Sequence, residues 1–201
     1  MIKNIKNKFL KKRNNVLVII PARGGSKRLI DKNILKIKDI PMVARCALGV
    51  KKSKYVDDVY VSSDSKKIIQ ICKNFKINFI KRPNYLSKDK IEKQEVIVHA
   101  VKVLKERLKP QIVVSLQANS PQFNYRDLDK ALQFFVKHKV SEIMSVDSDG
   151  IQNGCFRIMR TDYVFQKTLS TRIGFFKTNY IDVHTLKEFK KVRKIIENQE
   201  Y

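Results

Sequence analysis

Tryptophan is absent from this 201-residue chain, and glycine, proline and cysteine are sparse, at six, five and three. No internal repeat, low-complexity tract or linker stands out. The cysteines, Cys46, Cys72 and Cys155, are odd in number and form no CxxC pair. That argues against a disulfide framework or a cysteine zinc site and fits a reducing compartment. No apolar run approaches the ~18 residues a membrane helix needs, so no membrane span is expected. Acidic residues are scarce as well: 19 Asp+Glu stand against 43 Lys+Arg, a formal net charge of +24. Such an excess suits an anionic partner or substrate. It equally suits a solvated lysine-rich surface, because the lysines are spread along the chain among Ile and Asn. The chain lacks the aromatic-interleaved basic stripe that single-strand binders use, so no specific nucleic-acid partner is expected.

What is present suits one domain with a real core: hydrophobic residues make up 43%. Residues 1–15 read as a basic N-terminal extension, either frayed or a short amphipathic helix through Ile2, Ile5, Phe9 and Leu10. They lack the apolar centre of a secretion signal, and a cytoplasmic location is expected. From residue 16 onward strands and helices alternate. Strands are expected over 16–20, 58–62, 77–80, 112–116, 141–146 and 155–159. Helices are expected over 41–51, 66–75, 92–108, 125–138 and 185–196. Core positions are Val96, Ala100, Val103 and Leu104 in the third helix, Leu128, Leu132, Phe135 and Val136 in the fourth, and Leu186, Phe189, Val192, Ile195 and Ile196 in the last. The alternation predicts an α/β fold: a mostly parallel sheet with helices on both faces. Ligands of such sheets bind beyond the carboxyl ends of the strands.

The first of those ends is Pro21-Ala-Arg-Gly-Gly-Ser-Lys-Arg, followed by Lys32-Asn33. Gly24 and Gly25 allow unusual dihedrals and close approach to a ligand. Exposed amides in such a turn cradle oxyanions, and Arg23, Lys27, Arg28 and Lys32 add charge. The loop suits a polyphosphate, although it is neither GxxxxGK[ST] nor GxGxxG, and on spacing alone it could be an unspecific basic turn.

The order of these residues closely resembles the signature of acylneuraminate cytidylyltransferases, the CMP-sialic-acid-synthetase-like family. Further segments resemble that family in its own order: Val61-Ser-Ser-Asp64, Arg82-Pro-Asn-Tyr-Leu86-Ser-Lys-Asp89 with His99 ten residues on, Leu116-Gln117-Ala-Asn-Ser120-Pro121, Asn153-Gly154, and Ile181-Asp182-Val-His184-Thr. The related Kdo cytidylyltransferases also begin Ile-Pro-Ala-Arg but lack the Gly-Gly-Ser-Lys. The resemblance implies a Rossmann-like nucleotide-diphospho-sugar transferase fold over residues 16–201. It implies transfer of CMP from CTP to an acidic sugar, a sialic-acid-like nonulosonate or a relative, with release of pyrophosphate. Carried over by position, Arg23, Lys32 and Asp182 are catalytic, and Ala22, Arg23, Gly24, Gly25, Ser26, Lys27, Asn33 and Arg82 bind the nucleotide. Gln117, Asn153 and Gly154 face the sugar, and Asp182 holds Mg²⁺ or Mn²⁺.

The chain departs from the family at four places. His184 stands where a second aspartate is usual, Lys93 where a small hydroxyl residue is usual, and Gln122-Phe123 where Leu-Arg is usual. Around 147–152 the family carries a dimerisation and sugar-binding insert that is missing, so a monomer, or a dimer unlike the family's usual one, is expected. Two alternatives stay open: a degenerate member that binds CTP without transfer, and a nucleic-acid-binding protein. No motif marks how a sugar carboxylate is held; Arg126, Arg157 and Arg172 are the candidates.

Overall fold

A computed structural model describes residues 15–198. Apolar, β-branched 16–20 becomes β1 (Val16–Pro21), a strand buried on both faces. It lies between β4 (Asp58–Ser63) and β6 (Ile112–Leu116), parallel to both. Outward from β4 comes β5 (Asn78–Lys81), also parallel. On the other side β8 (Gln152–Arg160) runs antiparallel to β6 and to β7 (Glu142–Val146), and β9 (Ile173–Lys177) closes that edge parallel to β7. The seven-stranded order is β5-β4-β1-β6-β8-β7-β9, the mostly parallel mixed sheet expected. A small hairpin, β2 (Lys36–Ile37) with β3 (Ile40–Pro41), lies beside it.

Alternate residues of β1 feed two cores. Val16, Val18 and Ile20 pack with α1 (Met42–Val50), α2 (Lys66–Asn74) and α4 (Tyr125–Lys137). Leu17 and Ile19 pack against α3 (Lys93–Leu108) on the opposite face. Helices therefore cover both faces. A third cluster joins Ile37 and Met42 to Phe189, Val192 and Ile196 of α5 (Leu186–Asn198).

The expected elements form, with ends shifted by at most three residues, and the structure corrects four details. In α3 the buried set is Val96, Ile97, Ala100, Val101 and Leu104, while Val103 is exposed, because the helix turns 97 and 101 inward instead. Leu186, at the start of α5, is exposed as well. Strand β9 and the β2–β3 hairpin have no counterpart in the sequence reading. Asn15, expected in the extension, belongs to the fold: its carbonyl accepts from the amides of Gln111 and Ile112. The amphipathic-helix reading of residues 2–10 falls outside the described residues.

Residues 147–151 form a closed turn between β7 and β8. The carboxylate of Asp147 accepts from the amides of Asp149 and Ile151, and its own amide donates to the Ile151 carbonyl at 2.8 Å. The carboxyl ends of β1, β4, β5 and β6 and the start of antiparallel β8 all open on one edge of the sheet.

Candidate functional site

The loop leaving β1 is tied down at three places. The Ala22 amide extends the sheet by donating to Ser62 O at 2.9 Å, the Gly24 amide donates to Asp64 Oδ1 at 3.3 Å, and Asn33 Nδ2 donates to Arg23 O at 3.0 Å. Neither Gly24 nor Gly25 takes a left-handed φ, so the expected unusual dihedrals are absent. Gly24 is needed for space: a Cβ there would sit 2.9 Å from Cβ of Ser65, the N-cap of α2. At Gly25 a Cβ would meet nothing within 4 Å.

A cavity of about 460 Å³ opens above this loop. Of the expected nucleotide residues, Arg23, Ser26, Lys27, Lys32, Asn33 and Arg82 line it, together with Arg28, Asp89, Lys93, Asn119 and His184. Ala22, which is buried, and Gly24 and Gly25 are not part of its lining. Asp89 holds two of the cations, Arg23 at 2.9 Å and Lys27 at 2.5 Å. Arg82, 4% exposed, reaches Asp64 Oδ1 at 3.1 Å through Nη2, and its buried Nε meets no acceptor. Burial disfavours the Asp64 carboxylate, but bonds from Arg82, its own backbone and Gly24 outweigh burial and hold its pKa below the usual carboxylate range.

Lys32 has a pKa below the ordinary lysine value, first because it is desolvated and then because Arg28 lies near; Asp182 pulls the other way. The Asp182 pKa is raised, chiefly by burial, against a hydrogen bond from Ser120 Oγ and the charges of His184, Lys93 and Lys32. His184 is pushed down by burial and by Lys32, and its Nδ1 lies 3.5 Å from Arg28 Nη2. Of these interacting groups Lys32, Arg28, Lys93 and His184 line the cavity, whereas Asp182 is not part of its lining. Among the described residues no three His, Cys, Asp or Glu side chains converge to hold a metal. A hard divalent ion there fits only as one shared between Asp182, a neighbouring donor and ligand phosphates, a usual arrangement for Mg²⁺.

The expected sugar-side residues separate. Gly154, at φ +69, lines a second cavity of about 230 Å³ between α3 and the β6–β8 pair. Gln117 lines neither cavity; its Nε2 donates to Gly154 O at 2.5 Å, and a Cβ on Gly154 would fall 2.1 Å from that nitrogen. Asn153, expected to face the sugar, lines neither cavity. Its Oδ1 accepts from Ser145 Oγ and from the Cys155 amide, and its Nδ2 donates to Thr178, so both ends are spent locking β7, β8 and the segment after β9.

Sequence reasoning did not assign Lys93, which lines both cavities. Its side chain is exposed to the cavity yet desolvated enough that its pKa is lowered, with Asp182 opposing. Its place four residues after Asp89, opening a helix toward the site, was the available signal. Of the carboxylate candidates, only Arg157 reaches a cavity. Arg126 lies over the Tyr125 ring on the exposed side of α4, and Arg172 is exposed after the 161–165 turn. All three cysteines are free and buried.

Comparison with known proteins agrees with this geometry. The cytidylyltransferase family profile matches residues 17–171. The chain is 31% identical over 135 residues to the post-translational flagellin modification protein B of Campylobacter coli, covering 66% of this chain and 57% of that protein. It is 33% identical over 128 residues to a pseudaminic acid cytidylyltransferase of Campylobacter jejuni, covering 61% and 54%. The matches thus span little more than half the length of those relatives. In fold the chain is similar to a CMP:2-keto-3-deoxy-manno-octonic acid synthetase solved with CTP, at TM-score 0.76 and 17% identity, over 91% of this chain and 98% of that one. With the profile spanning β1 to the approach of β9 and the ordered loops gathered at one sheet edge, this chain belongs to the cytidylyltransferase family.

Proposed function

We propose that this chain transfers CMP from CTP to a hydroxyl of a small acidic sugar. One observation carries the reading. The β1 loop and the end of β5 bring Arg23, Lys27, Arg28, Lys32 and a buried Arg82 with a free Nε–H into a single cavity.

A triphosphate has the charge to replace Asp89 on Arg23 and Lys27 and to meet Lys32 deeper in the wall. The Gly25 amide adds an uncharged donor, the Gly24 amide being held by Asp64. Asn33 spends one N–H on Arg23 O, leaving Oδ1 as the acceptor a cytosine amino group requires, and Arg82 supplies donors for the ring carbonyl. The sugar oxygen bonds to the α-phosphorus, the bond from that phosphorus to the pyrophosphate oxygen breaks, and the hydroxyl proton passes to solvent. Such a step depends on positioning and charge neutralisation. Lys32 serves both, as the cation beside Asp182. Mg²⁺ or Mn²⁺, when bound, would neutralise phosphate charge; Asp182 is the carboxylate placed to share it, with His184 beside it. The proposed setting is the cytoplasm. The closed Asp147–Ile151 turn supports a monomer, or a dimer of another kind than the family's usual one.

The test is thermal stabilisation by CTP, UTP, ATP and GTP, each with and without Mg²⁺. At about 100 times its dissociation constant a ligand adds roughly 2.7 kcal/mol. CTP is expected to stabilise selectively; equal small shifts from all four would overturn the base-reading site. A second reading, CTP binding without transfer, is favoured by His184, which stands beside Asp182 where the family usually has a second aspartate. Pyrophosphate release with any sugar acid excludes it.

A further inference from the structure

The second cavity lies over the β6–β8 half of the sheet, next to the nucleotide cavity, and Lys93 lines both. On its floor is Arg157, held from two sides. Its Nε and Nη2 donate to Glu142 Oε2 at 3.1 and 2.6 Å, and its Nη1 donates to Gln94 Oε1 at 3.1 Å. Glu142 is fully buried, and its other oxygen accepts from the Ser170 amide at 3.0 Å. This network fixes the plane of the guanidinium while leaving N–H donors uncommitted, since arginine carries five. Glu92, a carboxylate in the same lining, is engaged in the capping box of α3. Lys93 has no ion pair with a described residue. The positive end of a 16-residue helix lies beside it, which favours an anion there. Gly154, also in the lining, separates this space from Asp182, whose Oδ2 would be 3.6 Å from a Cβ at that position.

We propose that this cavity takes the carboxylate end of the sugar acid, with Lys93 as the cation that receives it and Arg157, positioned by Glu142, as the second donor. The inference rests on the proposed transfer to an acidic sugar and identifies where the acid group goes. The acceptor hydroxyl is then directed past Gly154 toward Asp182 and the α-phosphate. At about 230 Å³ the space suits the acid end of the sugar, with the rest of it facing the shared opening.

The test uses the full chain with CTP and a chelator that prevents turnover. Calorimetry measures binding of N-acetylneuraminic acid, pseudaminic acid and 2-keto-3-deoxy-manno-octonic acid, each beside its methyl ester. At least one acid is expected to bind about tenfold or more tightly than its ester, a difference of about 1.4 kcal/mol. Lys93→Met should erase the acid-over-ester preference, and Lys93→Arg should keep most of it; both lie at an exposed first-turn position that the fold tolerates. Equal binding of acid and ester, a preference that survives Lys93→Met, or no binding of any acid overturns the inference. CTP affinity is read on the same samples. If CTP fails to bind selectively, the proposed function itself falls; if CTP binds and the acid preference is missing, only this inference does.

Discussion

At Gly25 neither the backbone angle nor a neighbouring atom demands glycine, since φ lies outside the left-handed region and a Cβ would meet nothing within 4 Å. Gly25→Ala should therefore leave unfolding free energy within about 0.5 kcal/mol. If the turn approaches phosphate closely, the same change should weaken CTP binding about tenfold, read by calorimetry beside urea denaturation. Unchanged CTP binding would mean the turn does not touch the ligand. Asp64 gives a pH signature. Its folded pKa lies below its unfolded value, so the pair with Arg82 contributes stability that is full above the unfolded carboxylate value of about 3.9 and is lost as pH falls through the lower folded value. The stability advantage of the wild type over Asp64→Asn should be constant from about pH 5 to 7 and shrink below that, followed by denaturant midpoints. The roles of single residues were only partly legible. The loop cations were visible as a run, whereas the consumption of Asn153 by Ser145 and Thr178 needs three strands brought together.

Local chemistry decides much at the level of elements. Ser65 caps α2 by accepting from the Ile68 amide, and its Cβ is also the surface against which Gly24 packs. Ser65→Ala should cost about 1 kcal/mol in chemical denaturation. Helix α3 shows the limit of periodicity. Its apolar residues fill several registers, and contact with β1 and β6 on the sheet turned Ile97 and Val101 inward while leaving Val103 out. Strand β9 was hidden for a related reason. Gly174 sits inside it because a Cβ would come within 3.0 Å of Phe134, so the strand depends on a helix elsewhere in the chain.

For the whole molecule, the charge of +24 is a property of surface and site together. Exposed charges are screened beyond about 8–10 Å at physiological salt, whereas the cavity cations act at contact distance. Binding of a single-stranded oligonucleotide, followed by fluorescence anisotropy, should fall at least about 100-fold between 50 and 500 mM NaCl, while CTP binding should fall far less. Equal salt sensitivity of the two would mean that the cavity attracts charge without selecting a ligand.

The alternation of apolar runs with amphipathic segments was enough, from sequence alone, to determine an α/β sheet covered on both faces. The ordered motifs determined the family, because short loops at strand ends keep their residues in chain order. The tertiary structure decided the partners of those residues. It set Asp89 on Arg23 and Lys27, spent Asn153 inside the sheet, and raised Lys93 from an odd substitution to a wall of two cavities. Each of these depends on groups far apart in the chain, such as Glu142 behind Arg157 or Asp182 beside Lys32. Hydrophobic spacing records which face is buried, but the geometry of a polar contact exists only after the strands have paired.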